Sequence, residues 1–89
     1  MQAIANPEEI LEFCQALQTF TDELNEKIQI LHGKFTQLGD TWRDQEHEKY
    51  AEQFQETMKT LRAFVSSSEE QIPVLQKKAQ HLQNYLANR

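Results

Sequence analysis

Two long stretches of this chain repeat their apolar residues at alternating spacings of three and four. They are separated by one interruption, Leu38-Gly39-Asp40-Thr41-Trp42-Arg43-Asp44. In the second stretch Phe54, Met58, Leu61, Val65, Ser68, Ile72, Leu75, Ala79, Leu82 and Leu86 follow the alternation without a stutter, and only Ser68 is polar. Such spacing keeps one stripe on one face of a helix. In the first stretch Ile10, Leu17, Leu24, Leu31 and Leu38 recur every seven residues, with Phe13 and Phe20, then Ile28 and Phe35, in the intervening slots. This first stripe is wider and bulkier, and a seven-residue repeat held over many turns favours a gentle left-handed supercoil with a crossing angle of about 20°. The pattern predicts an all-α protein, an antiparallel two-helix hairpin over about 7–38 and 42–87, forming a single domain from 1 to 89.

Helix ends are marked as clearly as helix faces. Asn6-Pro7-Glu8-Glu9 offers an N-cap side chain, a proline at the first helical position and a glutamate placed for a capping box. Gly39 can take the left-handed conformation that ends a helix, and Asp40 or Thr41 can cap the next, Thr41 with Asp44 three residues on. That places the second helix start near Trp42. No alternating β-branched run argues for a strand. Pro73 removes a backbone hydrogen bond from the second helix, so a kink is expected there. The run Ser66-Ser67-Ser68-Glu69-Glu70 before it could instead cap a third helix, but the heptad phase passes from Val65 to Leu75 unshifted and favours one kinked helix. Gly33 is a weak point costing about 1 kcal/mol relative to alanine unless close packing needs it.

A two-helix hairpin covers each apolar stripe on one side only, while folding must offset about 1.5 kcal/mol of entropy per ordered residue. A second hairpin is therefore expected to complete a four-helix bundle. The helix lengths, roughly 32 and 46 residues, leave a C-terminal overhang of about three turns. Ala79, Leu82 and Leu86 on it have no first-helix partner, and either Met1 and Ile4 folding back or a partner chain would cover them. The residues expected to form the seam and the dimer interface are Phe13, Leu17, Phe20, Leu24, Leu31, Phe54, Met58, Leu61, Val65, Ile72, Leu75, Leu82 and Leu86. The expected partner is a second copy, giving a homodimer, or a similar helical hairpin.

Composition changes this picture mainly by exclusion. The chain has 89 residues, 26% of them charged, and a net charge of −5. Acids outnumber bases, which argues against nucleic acid as a partner. Glu8, Glu9 and Glu12 open the first helix, Asp44, Glu46 and Glu48 the second, and Lys77 and Lys78 lie late, as helix dipoles prefer. No apolar run approaches the roughly 20 residues that span a bilayer, and the N-terminus lacks the regions of a cleavable signal. The expectation is a soluble cytoplasmic protein, not membrane-bound, whose export, if any, uses no cleaved N-terminal signal.

Candidate chemistry is sparse. His32, His47 and His81 form no pair at ligand spacing, and the consecutive helical residues Glu46, His47 and Glu48 point in different directions, so no metal site is expected. Cys14, beside the seam next to Phe13, reads as a small buried thiol, with a disulfide to a symmetry mate as the minor alternative. No phosphate-binding loop, nucleophile elbow or facing carboxylate pair is present. No enzyme activity, catalytic residue or cofactor is expected. Trp42, the chain's single tryptophan, reads as a packing anchor where the helices meet.

At the bend, Gly39, Asp40, Thr41, Trp42, Arg43 and Asp44, followed by Tyr50 and Phe54, resemble the tryptophan-centred turn of the WxG family of early-secretory-antigen-type helical hairpins. The resemblance covers nearly the whole chain and implies an antiparallel hairpin that forms homo- or heterodimers, many of them exported by type VII secretion systems. Asp44 stands where the family has a glycine, so the turn is expected to close with Gly39. Tyr85 is followed four residues later by Arg89, where the family's export signal has an acid. The Trp-Arg-Asp turn, Lys49-Tyr50 and Glu70-Gln71-Ile72 are similar to a divergent Gram-negative branch that includes a Helicobacter homodimer. Three roles remain open: a dimeric interaction module acting as adaptor or partner-binding protein, a substrate or co-secreted subunit of a type VII-like system, and a membrane-active effector. The last would need a basic amphipathic face that this acidic chain lacks.

Overall fold

The computed structural model describes residues 5–88, which form α1 (Pro7–Leu38) and α2 (Gln45–Ala87). The two run antiparallel as a rod of 68 × 17 × 16 Å. Its radius of gyration, 20.1 Å, is well above the roughly 12 Å of a compact domain of this length. The α1 start follows the sequence signal: the Asn6 side chain accepts from the backbone N–H groups of Glu8 at 2.9 Å and Glu9 at 3.4 Å, with Pro7 at the first helical position.

The seam runs along one line on each helix. On α2, Phe54, Met58, Val65, Ser68, Ile72 and Ala79 are buried, with Leu61, Leu75 and Leu82 half-buried between them. On α1 the buried residues are Pro7, Cys14, Thr21 and Ile28, flanked by half-buried Ile10, Leu17, Leu24 and Phe35. The bulky core sits toward the turn, where Ile28, Phe54, Met58 and Val65 cluster and Leu24, Phe35 and Leu61 pack against them. Away from the turn the helices meet through smaller residues. Cys14 Sγ lies 3.9 Å from the Ile72 carbonyl, and Thr21 satisfies its hydroxyl locally by donating to the Gln18 carbonyl at 3.0 Å. Helix α2 is continuous through Pro73, so Ser66-Ser67-Ser68 opens no third helix.

Four expectations need correction. Helix α2 begins at Gln45 and not near Trp42, because Asp44 is the N-cap: its carboxylate accepts from the His47 N–H at 3.0 Å, which neither Asp40 nor Thr41 does. Gly39 does not adopt the left-handed conformation. It sits at φ −63° and ψ −16°, and the last turn tightens through bonds from the Gly39 N–H to the Phe35 and Thr36 carbonyls and from the Trp42 N–H to the Leu38 carbonyl at 2.9 Å. Ala79 is not part of an uncovered overhang, since it is fully buried within the hairpin. The overhang is shorter than expected, because Leu82 is half-buried and Leu86 is the seam residue left exposed. Fold-back by Met1 and Ile4 lies outside the described residues.

The turn is held by stacked rings. His47 lies flat against Phe35, with centroids 5.2 Å apart and planes 5° from parallel, and the half-buried Trp42 meets His47 edge-on at 5.0 Å. Phe35 in turn touches Phe54 at 4.4 Å and Tyr50 at 5.8 Å. Trp42 is thus a packing anchor against α2. Arg43 Nε donates to the Gly39 carbonyl at 3.1 Å, tying down the other side of the loop.

Substituting Trp42→Ala should cost about 2 kcal/mol, below the 3 to 5 of a fully buried indole because this one is partly exposed; denaturant unfolding at fixed protein concentration checks it. The glycines give a second prediction. At Gly33 a Cβ would meet nothing within 4 Å, so Gly33→Ala should stabilise by about 0.5 to 1 kcal/mol. At Gly39 φ is already negative and the tightest contact of a Cβ is 3.3 Å to the Thr36 carbonyl. Gly39→Ala should therefore move stability by less than about 1 kcal/mol, where a left-handed glycine would lose more. Melting curves of the two variants beside the unsubstituted chain read both effects.

Candidate interaction surface

Packing two helices along one line leaves their flanks open, and the two flanks of this hairpin differ. On α1, the exposed positions Phe13, Ala16, Phe20, Glu23, Lys27, Ile30, Lys34 and Gln37 follow three-four alternation beside the seam. On α2, Tyr50, Gln53, Thr57, Thr60, Phe64, Ser67, Gln71 and Val74 do the same, are all exposed, and include no charged residue. Phe20 and Phe64 join the two rows, their rings meeting edge to face at 6.0 Å. In a chain that is 26% charged, an uncharged row of eight exposed positions is a departure from a solvated face. The opposite flank carries Asp22, Glu48, Arg62 and Glu69, the usual composition of a helix surface exposed to water.

The exposures divide the sequence-predicted interface into two sets. Leu17, Leu24, Phe54, Met58, Leu61, Val65, Ile72, Leu75 and Leu82 lie in or beside the seam. Phe13 at 57%, Phe20 at 52% and Leu31 at 48% exposure lie outside it. Leu38 and Leu86 are exposed as well. The turn residues Asp40, Thr41, Arg43 and Asp44 are exposed, while Gly39 and Trp42 are half-buried.

Three features were missed from sequence. Thr21 lies at the centre of the seam although it is polar, and Phe64 lies on the flank, unremarked because it falls between the seam positions Leu61 and Val65. Its signal was the spacing of fourteen from Tyr50, two heptads along the same row. His47 turns inward between Phe35 and Trp42, while Glu46 and Glu48 face solvent. Its Nε2 is the one buried side-chain polar atom among the described residues without a hydrogen-bond partner. Among those residues no group of three or more His, Cys, Asp or Glu side chains is placed to hold a metal ion, and no helix is long and apolar enough to cross a membrane.

A hairpin of this length closed by a tryptophan turn has a counterpart among protein families. The family model described as proteins of 100 residues with WXG matches residues 2–85. No curated protein and no solved structure matches the chain, so the assignment rests on the family as a whole and not on the Helicobacter member. Members of that family are small helical proteins tied to type VII secretion, typically paired with a hairpin partner as homo- or heterodimers. With the match spanning nearly the whole chain and both helices and their turn in place, this protein belongs to the WXG100 family.

Proposed function

We propose that this chain is a non-enzymatic protein-interaction module: a hairpin that pairs through its aromatic flank with a second hairpin to close a four-helix bundle, and that acts as an adaptor or partner-binding protein. The observation that carries the reading is the flank itself, with Phe13, Phe20, Phe64 and Tyr50 each 45% or more exposed along it. Aromatic side chains in this setting are the residues that dominate interface energies once desolvated.

Surface area supports the same reading. The hairpin exposes 7207 Å², whereas a compact monomer of its mass exposes about 5,400 Å². The excess is larger than the roughly 800 Å² each partner contributes to a standard interface. A dimer therefore has ample surface to bury.

A second reading, a substrate or co-secreted subunit of a type VII-like secretion system, is favoured by the family's association with such systems. The two are compatible, since a hairpin can be exported as a dimer. Finding the protein in culture medium while a cytoplasmic marker stays in the cells would establish the second, and finding it only with the cells would reject it.

In light scattering coupled to size exclusion, the protein should run at twice its 10.5 kDa chain mass. Phe20→Glu and Phe64→Glu should each weaken that dimer by at least about tenfold, because a carboxylate would have to be buried in an apolar contact. Helicity at concentrations where the dimer persists should be retained. A dimer of undiminished stability in both variants would remove the flank from the interface.

A further inference from the structure

The flank that offers an apolar surface also carries three charges, all on α1: Glu23, Lys27 and Lys34. Glu23 and Lys27 are four residues apart, a spacing at which a helix allows an ion pair. They do not form one, since the one ion pair among the described residues is Lys49 with Glu46. Two unpaired opposite charges thus sit near the middle of the flank, with Lys34 as the third charge toward the turn.

We infer that Glu23 and Lys27 select a second copy of this chain as the partner, each meeting the other's counterpart across a two-fold axis that passes α1 at Asn25. The inference rests on the proposed dimerisation through this flank. Two flat hairpin faces stacked about an axis lying in the interface, perpendicular to the helices, set α1 antiparallel on α1 and α2 antiparallel on α2. With the axis at Asn25, Glu23 lies opposite Lys27 of the second copy, and Lys27 opposite its Glu23. The same register lays Phe20 against Ile30 of the second copy and gives the long Lys34 side chain the small Ala16 to pass over. On α2 the axis crosses near Thr60, because Phe20 is level with Phe64 and Phe35 with Phe54. There Thr57, Thr60 and Phe64 introduce no opposing charge.

Neighbouring registers fail on the same two residues. Moving the axis two residues toward the N-terminus places Glu23 over Glu23 of the copy, and moving it two residues the other way places Lys27 over Lys27. Like charges facing each other at an interface are strongly disfavoured. Only the axis midway between them makes both contacts attractive. A different hairpin would gain this advantage only by carrying the mirrored charges, so the pair discriminates self from other more than it adds affinity, as expected for exposed ion pairs.

The test uses the full chain and two single variants, Lys27→Glu and Glu23→Lys. Each alone turns two attractions into two repulsions per dimer, and each should raise the dimer dissociation constant about tenfold. Mixed in equal amounts, with one of them labelled with ¹⁵N, they should form mixed dimers well above the statistical share in native mass spectrometry. Only the mixed pair restores both contacts. Repulsion within each α1 is the same in mixed and unmixed dimers, so it cannot produce that bias. A statistical mixture beside an intact dimer of the unsubstituted chain would overturn the charge assignment and leave the dimer standing. An unsubstituted chain that stays monomeric at every concentration would overturn both.

Discussion

Two helices touch along one line, and most features of this protein follow from that limit. A helix that packs against several neighbours can spread its apolar residues around its circumference, but a helix with one neighbour buries one stripe. Here that stripe is filled unevenly. Near the turn, Phe35, Phe54, Met58 and Ile28 make a conventional core. Farther out, Cys14, Thr21, Ser68 and Ala79 alternate in the seam with Ile72 and half-buried Leu17 and Leu75, so less apolar bulk is buried there than near the turn. The large apolar groups that could have served there, Phe13 and Phe20, stand on the flank. Their placement is costly for an isolated hairpin and useful to one that pairs.

The second helix was easily read from sequence because it carries one apolar stripe whose phase never slips. The first was harder because two stripes share its positions 10, 17, 24, 31 and 38. Either Phe13 and Phe20 or Cys14, Thr21, Ile28 and Phe35 could complete the seam. Hydrophobicity favours the phenylalanines, whereas close approach of two backbones favours the small residues, and packing decided the outcome. Sequence alone contains no measure of interhelical distance, so that choice was hidden in it. Phe64 was overlooked for a related reason: a residue beside a regular seam becomes informative only once the seam's direction is known.

Helix boundaries show the same division. The start of α1 was legible because Asn6 and Pro7 act through bonds to their immediate neighbours. The start of α2 was not, because Asp40 and Thr41 offer caps on local chemistry and Asp44 reads there as the capping-box partner of Thr41, although its own side chain is that of a cap. The choice among them depends on where His47 must sit. Its ring stacks on Phe35 across the hairpin, so the first turn of α2 is fixed by a contact with α1, and Asp44 is the candidate in position to cap it.

That arrangement explains how the turn tolerates an aspartate in place of the glycine named in the family's motif. Asp44 sits at φ −87° and ψ −176°, extended backbone that any residue adopts, so this position makes no conformational demand for glycine here. A glycine would leave the His47 N–H without the side-chain acceptor it now has at 3.0 Å. The bend is therefore held by two other means: the tryptophan ring against His47, and a tightened last turn of α1 that runs on through Gly39 with negative φ. A tripeptide of Trp-Arg-Asp closes the hairpin because the aspartate caps α2 while the tryptophan packs on it, and neither task requires the third residue to lack a side chain.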